Sequence, residues 1–323
     1  MDNLIFSGRS NPKLTEEICN ILKKKSGRDY KGKVDTKNFP SGEIYCHLKD
    51  NVRGKNVFFV QSTNNPNHDF MELLLLIHTA KLASAEKITA VIPYFAYARQ
   101  DRKTEPRTPI SSRLMFDLLK EAGATRIITI DIHNLVLQGQ SSVPFDSLIP
   151  CNLLIKYFKE KLAKTKEELK DWKLVAPDLG SVKKIEKFSE VLGLDFAIVH
   201  KKRLSATRVI QKRVIGNVKG KKILMIDDMS ESLGTLDGAA KLLKQKGAKE
   251  VFAFATHLPL TSSGKKVLKG DIFIDKIITT NTVGGLVNTK MIEVLSIAPV
   301  LAEAIDCTIK NESISGLFPI TGF

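Results

Sequence analysis

Ile223-Leu224-Met225-Ile226-Asp227-Asp228-Met229-Ser230-Glu231-Ser232-Leu233-Gly234-Thr235 is the stretch that decides how this chain folds. Four apolar residues run straight into two adjacent carboxylates, and a loop rich in hydroxyls follows, with a glycine near its end. The pattern predicts a buried parallel strand from Ile223 to Ile226, then a binding loop, then a helix start. In an open α/β sheet, ligands sit beyond the carboxyl ends of the strands. A loop feeding a helix N-terminus offers an anion unpaired N–H groups and the positive end of the helix dipole. An ordinary strand-to-helix turn with an Asp at its cap fits the same residues.

Asp227 and Asp228 would repel a phosphate. Ionised carboxylates only accept hydrogen bonds, and the hydroxyls of a sugar cis-diol donate them. A diol on the two acids and a phosphate on the loop together describe a ribose 5-phosphate.

Working outward, strands at Val57–Val60, Ile88–Ile92 and Ile127–Ile130 alternate with helices near Phe70–Ser84 and Ile110–Ala122. The second half repeats the alternation with strands at Leu174–Ala176, Phe196–Val199, Ile223–Ile226, Val251–Ala255 and Ile277–Thr279. That period predicts an α/β chain with two parallel sheets covered by helices on both faces. An internal echo supports two similar halves. Leu118-Leu119-Lys120-Glu121-Ala122-Gly123-Ala124 precedes an apolar run ending at His133, and Leu242-Leu243-Lys244-Gln245-Lys246-Gly247-Ala248 precedes one ending at His257. Each glycine stands where a helix C-cap belongs. The boundary is placed near Cys151, giving domains of residues 1–152 and 153–323.

A chain of 323 residues exceeds the usual size of one core, which agrees with two domains. Cys19, Cys46, Cys151 and Cys307 are scattered without C-x-x-C spacing, which predicts reduced thiols and neither a disulfide frame nor a zinc site. No apolar run is long enough to span a bilayer, and the N-terminus lacks a charged-then-apolar signal pattern; the expectation is a soluble, cytoplasmic protein without membrane partners. The net charge of +15 suits nucleic acid or highly anionic small substrates. Much of the lysine alternates with glutamate between Lys156 and Lys173, as on a solvated helix face, and basic residues interleaved with aromatics are absent. Nucleic acid is therefore not expected as a partner.

The hydrophobic strand, the Asp-Asp pair and the loop closing in Gly-Thr resemble the phosphoribosyl-pyrophosphate loop of type I phosphoribosyltransferases and ribose-phosphate pyrophosphokinases. Other segments resemble the second family: Tyr97-Ala98-Arg99-Gln100-Asp101-Arg102-Lys103, Asn38-Phe39-Pro40-Ser41-Gly42-Glu43, Met71-Glu72-Leu73-Leu74, Asp131-Ile132-His133 and His200-Lys201-Lys202-Arg203. The similarity runs from Phe6-Ser7-Gly8 to Leu301-Ala302-Glu303-Ala304-Ile305.

This resemblance implies two similar doubly wound parallel-sheet domains of the type I phosphoribosyltransferase-like fold, with a last helix near residues 299–309 returning to the first domain. It implies transfer of the β,γ-diphosphoryl group of ATP to the anomeric hydroxyl of ribose 5-phosphate. Lys201 matches the family's catalytic lysine and Arg203 its phosphate-contacting partner. His133 and Asp178 match metal positions, and magnesium is the expected ion because it bridges ATP phosphate oxygens and keeps few protein ligands. Phe39, Ser41, Gly42 and Glu43 match adenine contacts supplied by a neighbouring subunit, and Arg99, Gln100 and Asp101 match the ATP-side loop. The sugar phosphate falls to Arg203, Asp227, Asp228, Glu231, Ser232, Leu233, Gly234 and Thr235. A homo-oligomer, a hexamer built from dimers, is also implied.

Some positions depart from the family pattern. Glu231, Ser232 and Leu233 replace the usual Asp, Thr and small residue of the loop; Ser181 stands where a second glycine is usual, and Ser41 where Asn or Asp is. Leu135 is apolar where phosphate-activated members carry a polar residue, although Arg53, Arg107, Ser313 and Ser315 remain. Weakened or altered control by phosphate and ADP is the expectation. A catalytically silent homologue that assembles with active subunits, and a phosphoribosyltransferase, are the rival readings; the first would lack Lys201 or Arg203, and the second would not need two halves.

Overall fold

A computed structural model of the chain describes residues 2–203 and 209–317, with backbone only at 201–203 and 209–212. The described residues fall into two compact units. One is drawn from residues 2–149, 281–286 and 296–317, the other from the described residues of 150–280 and 287–295.

The first unit contains β1 (Asn3–Ser7), α1 (Pro12–Ser26), β2 (Val34–Asn38), β3 (Ile44–Leu48), β4 (Asn56–Val60), α2 (Pro66–Leu82), β5 (Lys87–Ile92), α3 (Ser111–Ala122), β6 (Arg126–Ile130) and β7 (Phe145–Leu148). β4, β5 and β6 read as near-continuous apolar runs and are buried along their length, the signature of parallel strands covered on both faces. They form a parallel sheet in the order β1-β4-β5-β6-β7, which follows the chain without reversal. β2 and β3 form a separate antiparallel hairpin.

The second unit contains α4 (Cys151–Tyr157), α5 (Lys166–Lys170), β8 (Trp172–Ala176), α6 (Val182–Leu192), β9 (Phe196–Arg203), β10 (Val209–Ile215), β11 (Lys222–Met229), α7 (Gly234–Gln245), β12 (Glu250–His257), α8 (Ser262–Lys269), β13 (Lys276–Thr280) and β14 (Ile292–Leu295). Its sheet has the order β10-β9-β8-β11-β12-β13-β14. From β8 the chain builds outward to β9 and β10, then crosses back to lay β11 on the other side of β8. The strand order therefore reverses between β8 and β11, and that is where an open parallel sheet leaves a ligand crevice.

α9 (Ala298–Lys310) belongs to the first unit, where it packs on α1. It buries Leu301, Ala302, Ala304 and Ile305 on one face. The echo glycines both take a positive φ, 125° at Gly123 and 88° at Gly247, as a turn out of a helix requires. The Lys/Glu-rich stretch includes α5, which buries none of its residues and starts on a Thr165–Glu168 capping box.

The predicted strands are all present and extend beyond the expected limits. Two antiparallel pairs, β2 with β3 and β9 with β10, depart from the expectation of purely parallel sheets. Among the described residues no helix is long and apolar enough to cross a membrane.

Candidate active site

β11 does not stop at Ile226. Its pairing with β8 ends at Met225 opposite Val175, while its pairing with β12 continues to Met229 opposite His257. Asp227 and Asp228 thus lie on the strand itself rather than in the following loop, with Asp227 opposite Ala255 on β12. Beyond β8, Asp178 closes a turn into α6: its Oδ1 accepts the Ser181 N–H at 3.2 Å, and its carbonyl accepts the Ser181 hydroxyl at 3.0 Å.

Three carboxylates therefore gather at the strand-order reversal. Burial pushes the Asp227 carboxyl up to about 8; the adjacent Asp228 and then Asp178 push the same way, with Lys184 opposing them. A carboxylate under that pressure gains from any positive partner, whether a hydroxyl proton or a cation. Among the described residues no three His, Cys, Asp or Glu side chains form a ready metal cage. Carboxylate oxygens are hard donors of the kind a hard divalent cation takes.

The loop after β11 is anchored at several points. Ser230 donates its N–H to the His257 carbonyl at 3.0 Å. The Glu231 carbonyl accepts the Thr261 N–H at 3.1 Å and the Thr261 hydroxyl at 3.1 Å. Leu233 is fully buried in a left-handed conformation, φ 61°, and caps the start of α7. Ser232, Gly234 and Thr235 are exposed at the mouth of that helix, whose first-turn N–H groups have no intrahelical acceptors. Such a loop can hold an anion on its amides while the two acids take hydroxyl donors.

The backbone of Lys201 and Arg203 belongs to β9, with Lys201 opposite Lys212 and Arg203 opposite Val209 on antiparallel β10. The side chains of both, and residues 204–208 altogether, lie outside the described residues.

In the first unit, Arg99, Gln100 and Asp101 follow Tyr97, which takes φ 64°. The Gln100 side chain accepts from the Ser111 hydroxyl, and its carbonyl accepts from the Ser112 hydroxyl at 3.1 Å. Asp101 accepts the Asn134 amide at 2.8 Å, and the Asp101 carbonyl accepts Gln140 Nε2 at 3.0 Å. The Arg99–Asp101 loop is thereby brought against the segment that carries His133, which is exposed just beyond β6. Gln100 and Asp101 hold that arrangement together, a role their sequence context did not reveal.

Phe39, Ser41, Gly42 and Glu43 form the tip of the β2–β3 hairpin. Ser41 donates to Glu43 at 2.8 Å, and Phe39 packs edge-on against Tyr45. Phe39 is 48% exposed, so it is not a core residue of its own unit. A cavity of about 1000 Å³ elsewhere in this unit, lined by Ser7, Arg9, Lys31 and Thr36 among others, includes none of the expected site residues.

Lys184 and Thr261 were not foreseen. Each reaches the site from a different element, by a register that no local pattern in the sequence encodes.

Residues 3–123 match the family model for the N-terminal domain of ribose phosphate pyrophosphokinase, and residues 208–319 that for the phosphoribosyl synthetase-associated domain. The ribose-phosphate pyrophosphokinase of Clostridium perfringens is 41% identical, covering 97% of this chain and 97% of that protein. That of Rhodopirellula baltica is 42% identical, covering 97% and 98%. The crystal structure of phosphoribosylpyrophosphate synthetase from Mycobacterium smegmatis matches with a TM-score of 0.87 and 36% identity, covering 96% of this chain and 100% of that one.

Proposed function

The chain belongs to the ribose-phosphate pyrophosphokinase family, and we propose that it joins ATP and ribose 5-phosphate into phosphoribosyl pyrophosphate, releasing AMP, for nucleotide biosynthesis. The anomeric hydroxyl attacks the β-phosphorus of ATP in line. The work of the protein is to bring two anions together and to meet the charge on the transferring oxygens.

The observation that carries the residue-level reading is the position of Asp227 and Asp228. They stand where the strand order reverses, ahead of an anchored loop and a helix N-terminus. The two acids accept the ribose 2- and 3-hydroxyls, and the amides of Glu231 to Thr235 take the 5-phosphate. Lys201 and Arg203 supply positive charge to the transferring group. Arg99, Gln100 and Asp101 serve the ATP side on the first unit, and Phe39 with Ser41, Gly42 and Glu43 serves adenine in a neighbouring subunit of a hexamer built from dimers. The exposure of Phe39 supports a partner for it.

On the second unit Asp178 would hold a magnesium ion directly; on the first, His133 would hold one through water, since imidazole is a soft donor for so hard an ion. Bound magnesium would supply charge neutralisation across the ATP phosphates. Regulation by phosphate and ADP is weakened or altered by Leu135, and the protein works in the cytoplasm.

The test is a magnesium-dependent assay with ATP and ribose 5-phosphate, following AMP and phosphoribosyl pyrophosphate together. Equal appearance of both is expected. Absence of both from folded protein supplied with phosphate would favour a silent subunit.

A further inference from the structure

Thr261 and Gly264 sit at the start of α8, outside every segment to which the proposed reaction assigns a role. Thr261 donates to the Glu231 carbonyl twice, from its N–H and from its hydroxyl, each at 3.1 Å. The same hydroxyl accepts the Gly264 N–H at 3.3 Å, capping the helix. Gly264 leaves no room for anything larger: a Cβ there would stand 2.4 Å from the Glu231 carbonyl oxygen, well inside van der Waals contact with backbone. The start of α8 therefore presses against one peptide unit of the loop after β11 and grips its oxygen.

The consequence follows from peptide geometry. The described peptide bonds are trans, so the Ser232 N–H points opposite to the Glu231 carbonyl. Holding the carbonyl toward Thr261 turns its lone pairs away from an anion on the loop and turns the Ser232 N–H toward it. Left unheld, this peptide could flip and set an oxygen against the phosphate. The neighbouring anchors complete the clamp, with Ser230 on His257 and Leu233 buried.

We propose that Thr261 and Gly264 are positioning residues for the sugar-phosphate loop, which fix the Glu231–Ser232 peptide so that its N–H faces the 5-phosphate of ribose 5-phosphate. This rests on the assignment of that loop to the 5-phosphate.

The experiment compares Thr261→Val, Thr261→Ser, Gly264→Ala and Asp228→Ala in steady-state kinetics with both substrates, alongside thermal melting. Losing one charge-assisted hydrogen bond to a phosphate corresponds to a rise of about tenfold in KM for ribose 5-phosphate. That rise is expected in Thr261→Val and Gly264→Ala, with KM for ATP within about twofold. Thr261→Ser, which keeps the hydroxyl, should behave as the parent. If Asp228→Ala raises KM for ribose 5-phosphate while Thr261→Val and Gly264→Ala do not, the positioning role is wrong and the site reading stands. If none of the variants changes it, the site reading falls and takes the positioning role with it. A loss spread over both substrates and the melting temperature, unrescued by Thr261→Ser, would mark a structural role and overturn the proposal.

Discussion

Lys25 Nζ lies 2.7 Å from Asp306 Oδ2, so the last helix is pinned by charge to the first. Lys25 also reaches Glu303 at 2.7 Å, and Lys310 reaches Asp306 at 2.8 Å from the next turn of α9. Desolvation pushes the Asp306 carboxyl up, but the hydrogen bonds from Lys25 and Lys310 outweigh it and hold the group below its usual 3.8. An acid whose folded pKa is depressed adds stability above its unfolded pKa and loses it as pH falls through the folded one. Asp306→Asn should therefore lower the urea midpoint by a constant amount above about pH 5, with the difference closing below the usual carboxylate range. A difference that persists at pH 2 would assign the effect to packing.

Asp227 has the opposite sign. Its carboxyl is raised from 3.8 to about 8, so the folded protein holds a proton that the unfolded chain has released, and stability falls as pH rises between those values. In metal-free protein without substrates, Asp227→Asn should gain stability over the parent between pH 5 and pH 8.5 while losing ribose 5-phosphate binding. Equal stability differences at both pH values, read by denaturant unfolding, would contradict the burial-driven shift.

Leu233 combines a left-handed backbone with a side chain of 0% exposure. Relief of that backbone is worth roughly 1–2 kcal/mol, whereas emptying a buried leucine site costs roughly 2–5 kcal/mol. Leu233→Gly should therefore destabilise by about 1–3 kcal/mol net. A stabilised variant in urea unfolding would mean that the backbone, and not the packing, dominates at this loop.

Lys201→Ala removes a charge assigned chiefly to the transition state. Turnover should fall roughly 10²–10³-fold with modest change in either KM. Unchanged turnover would withdraw the catalytic role of Lys201.

The alternation of apolar runs with helical segments was enough for a parallel α/β chain, because a strand buried on both faces must be apolar throughout. β11 shows the limit of that signal. Its apolar run ends at Ile226, yet the strand continues to Met229, since the polar residues at its end find hydrogen bonds on β12. β1, β2, β3, β7, β10 and β14 were not among the expected strands; of these, Val34-Asp35-Thr36-Lys37-Asn38 carries too much polar character to read as a strand without its hairpin partner.

By itself the sequence determined the acid pair, the hydroxyl-rich loop and the helix that follows, for each is a local pattern whose chemistry resides in neighbouring residues. The tertiary structure decided the rest. The reversal of strand order between β8 and β11 sets Asp178 within electrostatic reach of Asp227, where it adds to the rise in pKa that burial and the adjacent Asp228 chiefly cause. The close approach of Gly264 to Glu231 turns an ordinary helix cap into a clamp on the binding loop. Both depend on distances between residues far apart in the chain, and packing of the elements sets those distances.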